Sequence, residues 1–244
     1  MIHRIVCAFY CVISFCSFSG AALGQEVEIY IPSQHTAAPK SEETNNILAR
    51  CLATGLTEYC VGISFGENGA IFESNGISEI TLETFVIDLN DESETTKPNV
   101  TVKNDEDGGT GQNTGSIDIK SAGIEIEFDF NSHKLRTDQL DKISVLAAAF
   151  ADDMNAGKLY AIVGHTDGKG SESYNCKLSA KRAATITSAL VLSGAKAKLQ
   201  PIGVGEVLLK DATNPANAQN RRVSFLKLDD NAETVINAFR ALCN

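Results

Sequence analysis

The chain has 244 residues, of which 43% are hydrophobic and 21% are charged, so its composition excludes both a disordered chain and a bundle of membrane helices. Its formal net charge of −10 argues against nucleic acid as a partner. Trp is absent and aromatic residues make up only 7%, which leaves few side chains for stacking on single-stranded nucleic acid.

The first 24 residues have the layout of a secretory signal peptide. Arg4 supplies a positive start, residues 5–18 form an apolar run, and Ala22-Leu23-Gly24 is a small-x-small cleavage site. The apolar run is too short for a transmembrane helix, and no later segment has about eighteen consecutive apolar residues. We therefore predict that residues 1–24 are removed on export to the periplasm. An uncleaved anchor is the alternative, and association with the outer membrane is left open.

Four of the seven cysteines lie after the predicted signal peptide, an even number in an oxidising compartment: Cys51, Cys60, Cys176 and Cys243. Three pairings are available. The local bond Cys51–Cys60 is favoured, which leaves Cys176–Cys243. No cysteine follows a lipidation-type box at the cleavage site, which argues against a lipid anchor.

Charge divides the remaining chain into two parts. Residues 25–118 contain 17 acidic and 4 basic residues, whereas residues 119–244 contain 14 acidic and 16 basic residues. This asymmetry favours two units with separate roles. We predict a small acidic unit at residues 25–90, an acidic Gly-rich linker at 91–118, a main domain at 119–228 and a C-terminal helix at 229–244.

The acidic unit is predicted to be loop-rich, with short elements. Residues 26–31 alternate as a strand does, Ser41 is placed to cap a helix that carries Leu48 and Leu52, and two short strands are predicted between residues 71 and 87. Val100 and Val102, within the linker, could form another short strand. This part of the sequence predicts no site of its own.

The second part predicts alternating strands and helices. The predicted strands span residues 124–130, 159–163, 199–204 and 223–228. Three helices are predicted. The first carries Leu140 to Met154 and has Thr137 as its cap, and the second runs from the turn at 164–170 to Leu192 and ends at Gly194. The third spans residues 230–242. This order favours an α/β sandwich with helices on one face of a small mixed sheet.

Three other kinds of site are not supported by the sequence. Gly62 to Gly66 has the spelling of a nucleophile elbow around Ser64, but turn residues follow it and the unit is too small for the required sheet. Residues 164–170 are one residue short of a phosphate loop. The four histidines lack the spacing of zinc ligands, so neither a metal nor a cofactor is predicted.

Asp167 and Arg182 are the residues with the clearest chemical meaning. Asp167 follows a predicted strand, and Arg182 shares a face of the next helix with Asn175. Arg182 and free N–H groups at the helix start suit a carboxylate, while Asp167 suits an ammonium group. A ligand that carries both groups, such as an amino acid, fits this pair. The alternative is an internal Asp167–Arg182 ion pair.

Several blocks around these residues resemble the OmpA-like peptidoglycan-binding domain, over about residues 120–228. They are Gly-His-Thr-Asp at 164–167, Tyr174-Asn175, Leu178-Ser179, Arg182-Ala183, Gly203-Val204-Gly205-Glu206 and Asn220-Arg221-Arg222-Val223. The resemblance implies a βαβαββ sandwich that binds the diaminopimelate residue of the peptidoglycan stem peptide without breaking a bond. It also implies that Asp167 and Arg182 clamp this residue and that four others line the site: Asn175, Thr166, Arg221 and Asn131.

The hypothesis is therefore a non-enzymatic periplasmic protein that is tethered to the cell wall of a Gram-negative envelope. Its acidic N-terminal unit is a candidate for binding an outer-membrane or periplasmic protein. One alternative is a hydrolase that modifies the cell wall through Ser64. Another is a protein–protein adaptor whose wall site has decayed.

Overall fold

The computed structural model describes residues 42–54, 60, 63–65, 71–73, 80–89, 98–104, 115–129 and 131–244, all within one compact unit that spans Ala37–Asn244. The predicted signal peptide, the predicted strand at 26–31, Ser41 and Phe130 lie outside the described residues. In the described part, no helix is both long enough and apolar enough to cross a membrane.

Four helices and eight strands make up the described fold. The helices are α1 (Glu42–Thr54), α2 (Leu140–Ala151), α3 (Glu172–Leu192) and α4 (Ala232–Ala241). The strands are β1 (Ile63–Phe65), β2 (Ile71–Glu73), β3 (Ile80–Asp88), β4 (Val100–Asn104), β5 (Ser116–Ile124), β6 (Leu159–Gly164), β7 (Lys198–Gly203) and β8 (Val223–Leu228).

Six strands form one mixed sheet in the order β4-β3-β5-β8-β6-β7, and β1 pairs with β2 separately. Only β6 and β7 are parallel, since every other pairing in the six-stranded sheet is antiparallel. The predicted mixed α/β class is therefore confirmed. Strands from the acidic part of the chain, β3 and β4, belong to the same sheet as the strands of the second part.

The two faces of the sheet carry separate hydrophobic cores, because successive side chains of a strand point to opposite faces. Tyr160 and Ile162 of β6 pack on one face, together with α1, α2 and part of α3. Ala161 and Val163 face the other core, where α4 contributes Val235, Phe239 and Leu242. Helix α4 thus covers the face opposite to the other three helices.

A buried group of polar side chains attaches α1 to the second part of the chain. The Tyr160 hydroxyl donates to Asn155 Oδ1 at 2.5 Å and lies 3.2 Å from Leu52 O. Asn155 Nδ2 donates to Ala49 O at 3.2 Å and to Ala149 O at 2.9 Å. Burial, together with the charge of Asp229, raises the pKa of the Tyr160 phenol, which therefore stays protonated as a donor.

Two disulfide bonds join the described cysteines. Cys51 is bonded to Cys60, and Cys176 is bonded to Cys243, which is the pairing that the sequence favoured. The first bond closes a local loop beside α1. The second links residues 67 positions apart and connects α3 with the end of the chain.

Three predicted details were wrong. The strand predicted over residues 124–130 does not form in the described residues: β5 ends at Ile124, where its pairing with β8 also ends, and Phe128 makes an isolated bridge with Leu135. Thr137 begins a 3₁₀ turn and does not cap α2 with its side chain. Met154 lies in a second 3₁₀ turn, because the Asp152 carboxylate accepts from Met154 N and ends α2 earlier.

A fully buried ion pair connects β3 with the start of β8. Arg222 Nε and Nη2 donate to the two carboxylate oxygens of Glu83 at 2.6 and 2.9 Å. Ser224 Oγ lies 3.3 Å from Glu83 Oε2 and 3.1 Å from His165 Nε2. Burial and the charge of Arg222 hold the pKa of His165 well below its usual 6.5, so this imidazole is neutral at pH 7.

Removing the charge of Glu83 should destabilise the fold strongly, because Arg222 would remain buried without a counter-ion. We expect Glu83→Gln to lower the free energy of unfolding by about 3–5 kcal/mol, measured by urea denaturation. The double variant Glu83→Leu/Arg222→Met should recover most of this loss, since no charge is then buried. A loss below about 1 kcal/mol for Glu83→Gln would contradict this role of the ion pair.

Acid should destabilise the fold through His165. Its pKa is lowered in the folded state, so the unfolded chain takes up the proton first as the pH falls below about 6.5. Stability should therefore decrease from pH 7.5 to 5.5, by at most about 1.4 kcal/mol per pH unit. Urea denaturation of His165→Gln should show a shallower slope over this pH range, and an unchanged slope would contradict this role of His165.

Candidate functional site

The predicted site residues gather where β6 ends and α3 begins. Helix α3 lies almost directly on β6 and β7 at this point. A Cβ atom on Gly164 would come within 2.3 Å of Ser179 O, and one on Gly203 within 2.2 Å of Ala180 N. Only glycine allows such an approach, so these two positions set how close α3 and its side chains lie to the ends of the strands.

Asn175 fastens the turn after β6 to the first turn of α3. Its Nδ2 atom lies 3.3 Å from Asp167 O and 3.0 Å from Lys169 O, and it also contacts the Glu206 carboxylate. Ser171 caps the helix by accepting from Tyr174 N. Asn175 is buried and its amide is used within the protein, so it shapes the wall of the site rather than presenting free donors.

The loop after β7, residues 203–206, is held against α3 by Ser179. Its hydroxyl donates to Cys176 O and accepts from Gly205 N, each at 2.9 Å, and Gly205 O in turn accepts from Thr166 N at 2.9 Å. The Thr166 hydroxyl is buried and has no hydrogen-bond partner in the part of the chain that the structure describes. A polar atom in this state is unusual and is often found beside a ligand site.

Asp167 is paired with Arg221 and not with Arg182. Arg221 Nη1 donates to Asp167 Oδ2 at 2.9 Å, and Lys169 N donates to Asp167 Oδ1 at 3.2 Å. The alternative of an internal Asp167–Arg182 ion pair is therefore wrong. The Asp167 side chain is 13% exposed and that of Arg221 is 42% exposed, so this ion pair borders solvent.

Arg182 is only 6% exposed and is held on two sides. Its Nε atom donates to Ser132 O at 3.1 Å, and its guanidinium carbon lies 4.9 Å from the centre of the Phe128 ring. Burial lowers the pKa of Arg182 and the nearby charge of Arg221 acts in the same direction, whereas Tyr174 and the charge of Asp167 act against this shift. Among residues with described positions, no carboxylate forms an ion pair with Arg182.

Asn131 lies at the rim of the site. Its backbone has a positive φ of 55°, a conformation that asparagine tolerates better than most residues. The exposed Asn131 side chain accepts from the hydroxyl of Tyr174 at 2.5 Å. The segment that carries Asn131 and Ser132 therefore contacts α3 at both Tyr174 and Arg182.

Sequence reasoning did not identify the residues that order the loop before β8. Asn220 Nδ2 lies within 3.2 Å of the carbonyl oxygens of Asp211, Asn214 and Pro215. Hydrogen bonds from Thr213, Asn217 and Asn214 lower the pKa of Asp211 to about 2. Asn220 could have been identified from the sequence because it begins the Asn-Arg-Arg block, whereas no motif contains Asp211.

This loop also supports the turn that bears Asp167. Gly168 N donates to Pro215 O at 2.8 Å, and a Cβ atom at Gly168 would lie 2.8 Å from the Pro215 Cβ. The loop and the turn are therefore in direct contact. The candidate site therefore brings together two guanidinium groups, Arg182 and Arg221, and two carboxylates, Asp167 and Glu206.

The described residues support neither a nucleophile elbow at Ser64 nor a metal site. Ser64 lies in β1, and the next described element is the antiparallel strand β2 instead of the helix that a nucleophile elbow needs. Within the described ranges, no group of three or more His, Cys, Asp or Glu residues is arranged to hold a metal ion.

The part of the chain that carries the candidate site is similar to known proteins. Residues 127–222 match the OmpA family. The outer membrane porin F of Pseudomonas fluorescens is 31% identical over 103 residues, which are 41% of this chain and 31% of the porin. The peptidoglycan-associated lipoprotein of Pseudomonas putida is 31% identical over 134 residues, which are 50% of this chain and 78% of the lipoprotein.

Among solved structures, the peptidoglycan-associated lipoprotein from Burkholderia pseudomallei is 28% identical, with a TM-score of 0.34, over 42% of this chain and 88% of that structure. The chain spans about a third of the length of the porin but more than two thirds of the Pseudomonas putida lipoprotein. Because the family match contains Asp167, Arg182 and Arg221, and the lipoprotein match extends over most of that relative, the chain belongs to the OmpA family.

Proposed function

We propose that this protein binds peptidoglycan noncovalently through the diaminopimelate of the stem peptide and so attaches itself to the cell wall. The observation that carries the proposal is Arg182, a buried guanidinium with which no described carboxylate forms an ion pair, although the charge of Asp167 lies close enough to act on it. A buried charge without a partner is costly, and a ligand carboxylate would remove that cost. Guanidinium groups bind carboxylates through two parallel hydrogen bonds, which makes such a contact geometrically selective.

Asp167 is the proposed partner of the ligand ammonium. A carboxylate has about four acceptor positions, and the contacts with Arg221 and Lys169 occupy one position on each oxygen. An ammonium group can therefore join Asp167 without displacing Arg221. Arg221 would then hold the carboxylate in place and offer its remaining donors to the ligand. The free end of diaminopimelate carries both an ammonium group and a carboxylate, as this arrangement requires.

The remaining proposed contacts come from Thr166, Asn175 and Asn131. The unpartnered Thr166 hydroxyl supplies a donor and an acceptor close to the turn, while Asn175 keeps Asp167 and Lys169 in position. Asn131 lies on the rim, where its amide can contact the stem peptide. This binding involves no bond cleavage, and accordingly the proposal assigns no nucleophile and no cofactor.

In the cell, we place the protein in the periplasm, where peptidoglycan and the oxidising conditions that favour its two disulfides are found. Two observations support an envelope location: the predicted signal peptide, and a Pseudomonas putida relative that is named for its association with peptidoglycan. The single-site affinity should be weak because the site is partly exposed, and the many stem peptides of the wall would strengthen retention. The acidic N-terminal part remains a candidate for binding an outer-membrane or periplasmic protein.

Arg182→Ala and Asp167→Ala should each abolish most retention on purified sacculi. Loss of one charged hydrogen-bonded contact should weaken diaminopimelate binding about 10- to 150-fold, as measured by NMR titration. The matched controls are Asp153→Ala and Lys196→Ala, which break an exposed ion pair near the opposite end of β6. These controls should bind as the wild type does.

Three outcomes would contradict the proposal. Wild-type protein that ignores sacculi would favour the protein–protein adaptor. Release of soluble wall fragments that stops in Ser64→Ala would favour the hydrolase. Unchanged retention of both site variants would place the wall-binding surface elsewhere.

The ligand carboxylate should matter as much as Arg182 does. Cadaverine keeps both ammonium groups of diaminopimelate but lacks both carboxylates, so it should bind the wild type about 10- to 150-fold more weakly. In Arg182→Ala the two ligands should bind almost equally, because the side chain that distinguishes them is gone. Isothermal titration calorimetry with both ligands checks this, and a preference that persists in Arg182→Ala would assign the carboxylate to another residue.

A further inference from the structure

We propose that the disulfide Cys176–Cys243 is a positioning element of the ligand site and not only a stabilising link in the fold. This inference rests on the proposed function of the site. Cys176 follows Asn175 directly in α3, and Cys243 lies two residues after the end of α4. The bond therefore joins the helix that forms the site to a helix that packs on the opposite face of the sheet.

Helix α4 is a firm anchor for this bond. Val235, Phe239 and Leu242 of the C-terminal segment are almost completely buried. The ring of Phe239 packs edge-on against Phe85 of β3, with 5.2 Å between the ring centres. Since Cys243 directly follows Leu242, the sulfur of Cys243 is fixed relative to the central sheet.

Cys176 passes this constraint to the site through its backbone. Cys176 O accepts from Ser179 Oγ, which accepts from Gly205 N, and Gly205 O accepts from the amide of Thr166, next to Asp167. The packing is equally close, because a Cβ atom on Gly205 would lie 3.0 Å from Cys176 N and 3.3 Å from its sulfur. A shift of Cys176 would therefore move both the 203–206 loop and the turn that bears Asp167.

The start of α3 is the part of the helix that most needs such an anchor. The first N–H groups of a helix lack partners within the helix, and helix ends open more easily than their centres. Residues 171–174 are all exposed, so burial holds the helix only from Asn175 and Cys176 onward. The covalent bond therefore acts where the site residues begin, directly after the exposed first turn.

The second disulfide provides a matched control. Cys51 and Cys60 are both buried, and their bond joins α1 to a nearby residue in the core on the sheet face opposite to α4. None of the hydrogen bonds described around Asp167, Arg182 and Asn175 includes either of these cysteines. Removing this bond should therefore lower stability without changing the geometry of the site.

The test compares Cys176→Ala/Cys243→Ala with Cys51→Ala/Cys60→Ala by titration with free diaminopimelate, at a temperature where circular dichroism shows both variants folded. We expect the first variant to bind about threefold to thirtyfold more weakly, the range for residues that act on a site through packed neighbours. The second should bind within about twofold of the wild type. The backbone amide signals of Thr166 and Gly205 should shift only in the first variant, before ligand is added.

A second, reversible form of this test keeps both cysteine side chains, Cys176 and Cys243, in place. In the Cys51→Ala/Cys60→Ala background, dithiothreitol reduces the remaining bond: the disulfide takes two electrons and two protons and becomes two thiols, while the dithiol becomes its cyclic disulfide. Affinity should fall on reduction and return on reoxidation. Such a return would distinguish positioning by the bond from the packing of the cysteine side chains.

The outcomes separate this inference from the proposed function. If the wild type binds diaminopimelate but Cys176→Ala/Cys243→Ala binds equally well, the positioning role is refuted and the proposed function stands. An equal loss of affinity in both disulfide variants would also refute it, because the effect would then be one of general stability. If the wild type does not bind, the proposed function fails and the positioning role fails with it.

Discussion

The antiparallel pairing of β6 with β8 is the constraint on which the site depends. This pairing places Gly164 opposite Val223, so the turn that follows β6 lies beside the residues that precede β8. Asp167 and Arg221 are 54 positions apart in the chain and meet only for this reason. The same register brings Arg222 beneath the site, where Glu83 neutralises it. The pairings of β3 with β5 and of β5 with β8 bring Glu83 to Arg222, so neighbouring strands of one sheet supply both the ion pair at the candidate site and the buried ion pair.

Burial gives the two arginines that follow each other in the chain different roles. Arg222 faces the interior and is fully paired, so its contribution is structural, and breaking the pair would be costly. Arg221 faces solvent and keeps donors available while it orients Asp167. Arg182 is buried like Arg222, but no described carboxylate pairs with it. Its contacts within the described residues are Ser132 O and the Phe128 ring, and neither of them neutralises its charge.

The acidic part of the chain contributes more than its lack of motifs suggested. Strand β3 lies outside the segment that matches the OmpA family, yet it provides Glu83 to the buried ion pair and Phe85 to the core beneath α4. Through Phe85 and Phe239, the same strand also supports α4, the helix that precedes Cys243. The residues that line the site and the residues that hold it in place thus come from different parts of the chain.

The sequence by itself determined most of the helices and strands of the second part, the mixed α/β class, the favoured disulfide pairing and the blocks that contain Asp167, Arg182 and Arg221. These features depend on local spacing and on residue chemistry, which a sequence displays directly. Only the tertiary structure decided that Asp167 pairs with Arg221, that Glu83 pairs with Arg222 and that α4 covers the opposite face of the sheet. Such contacts join residues far apart in the chain, and they depend on strand order, register and burial, which no local pattern encodes.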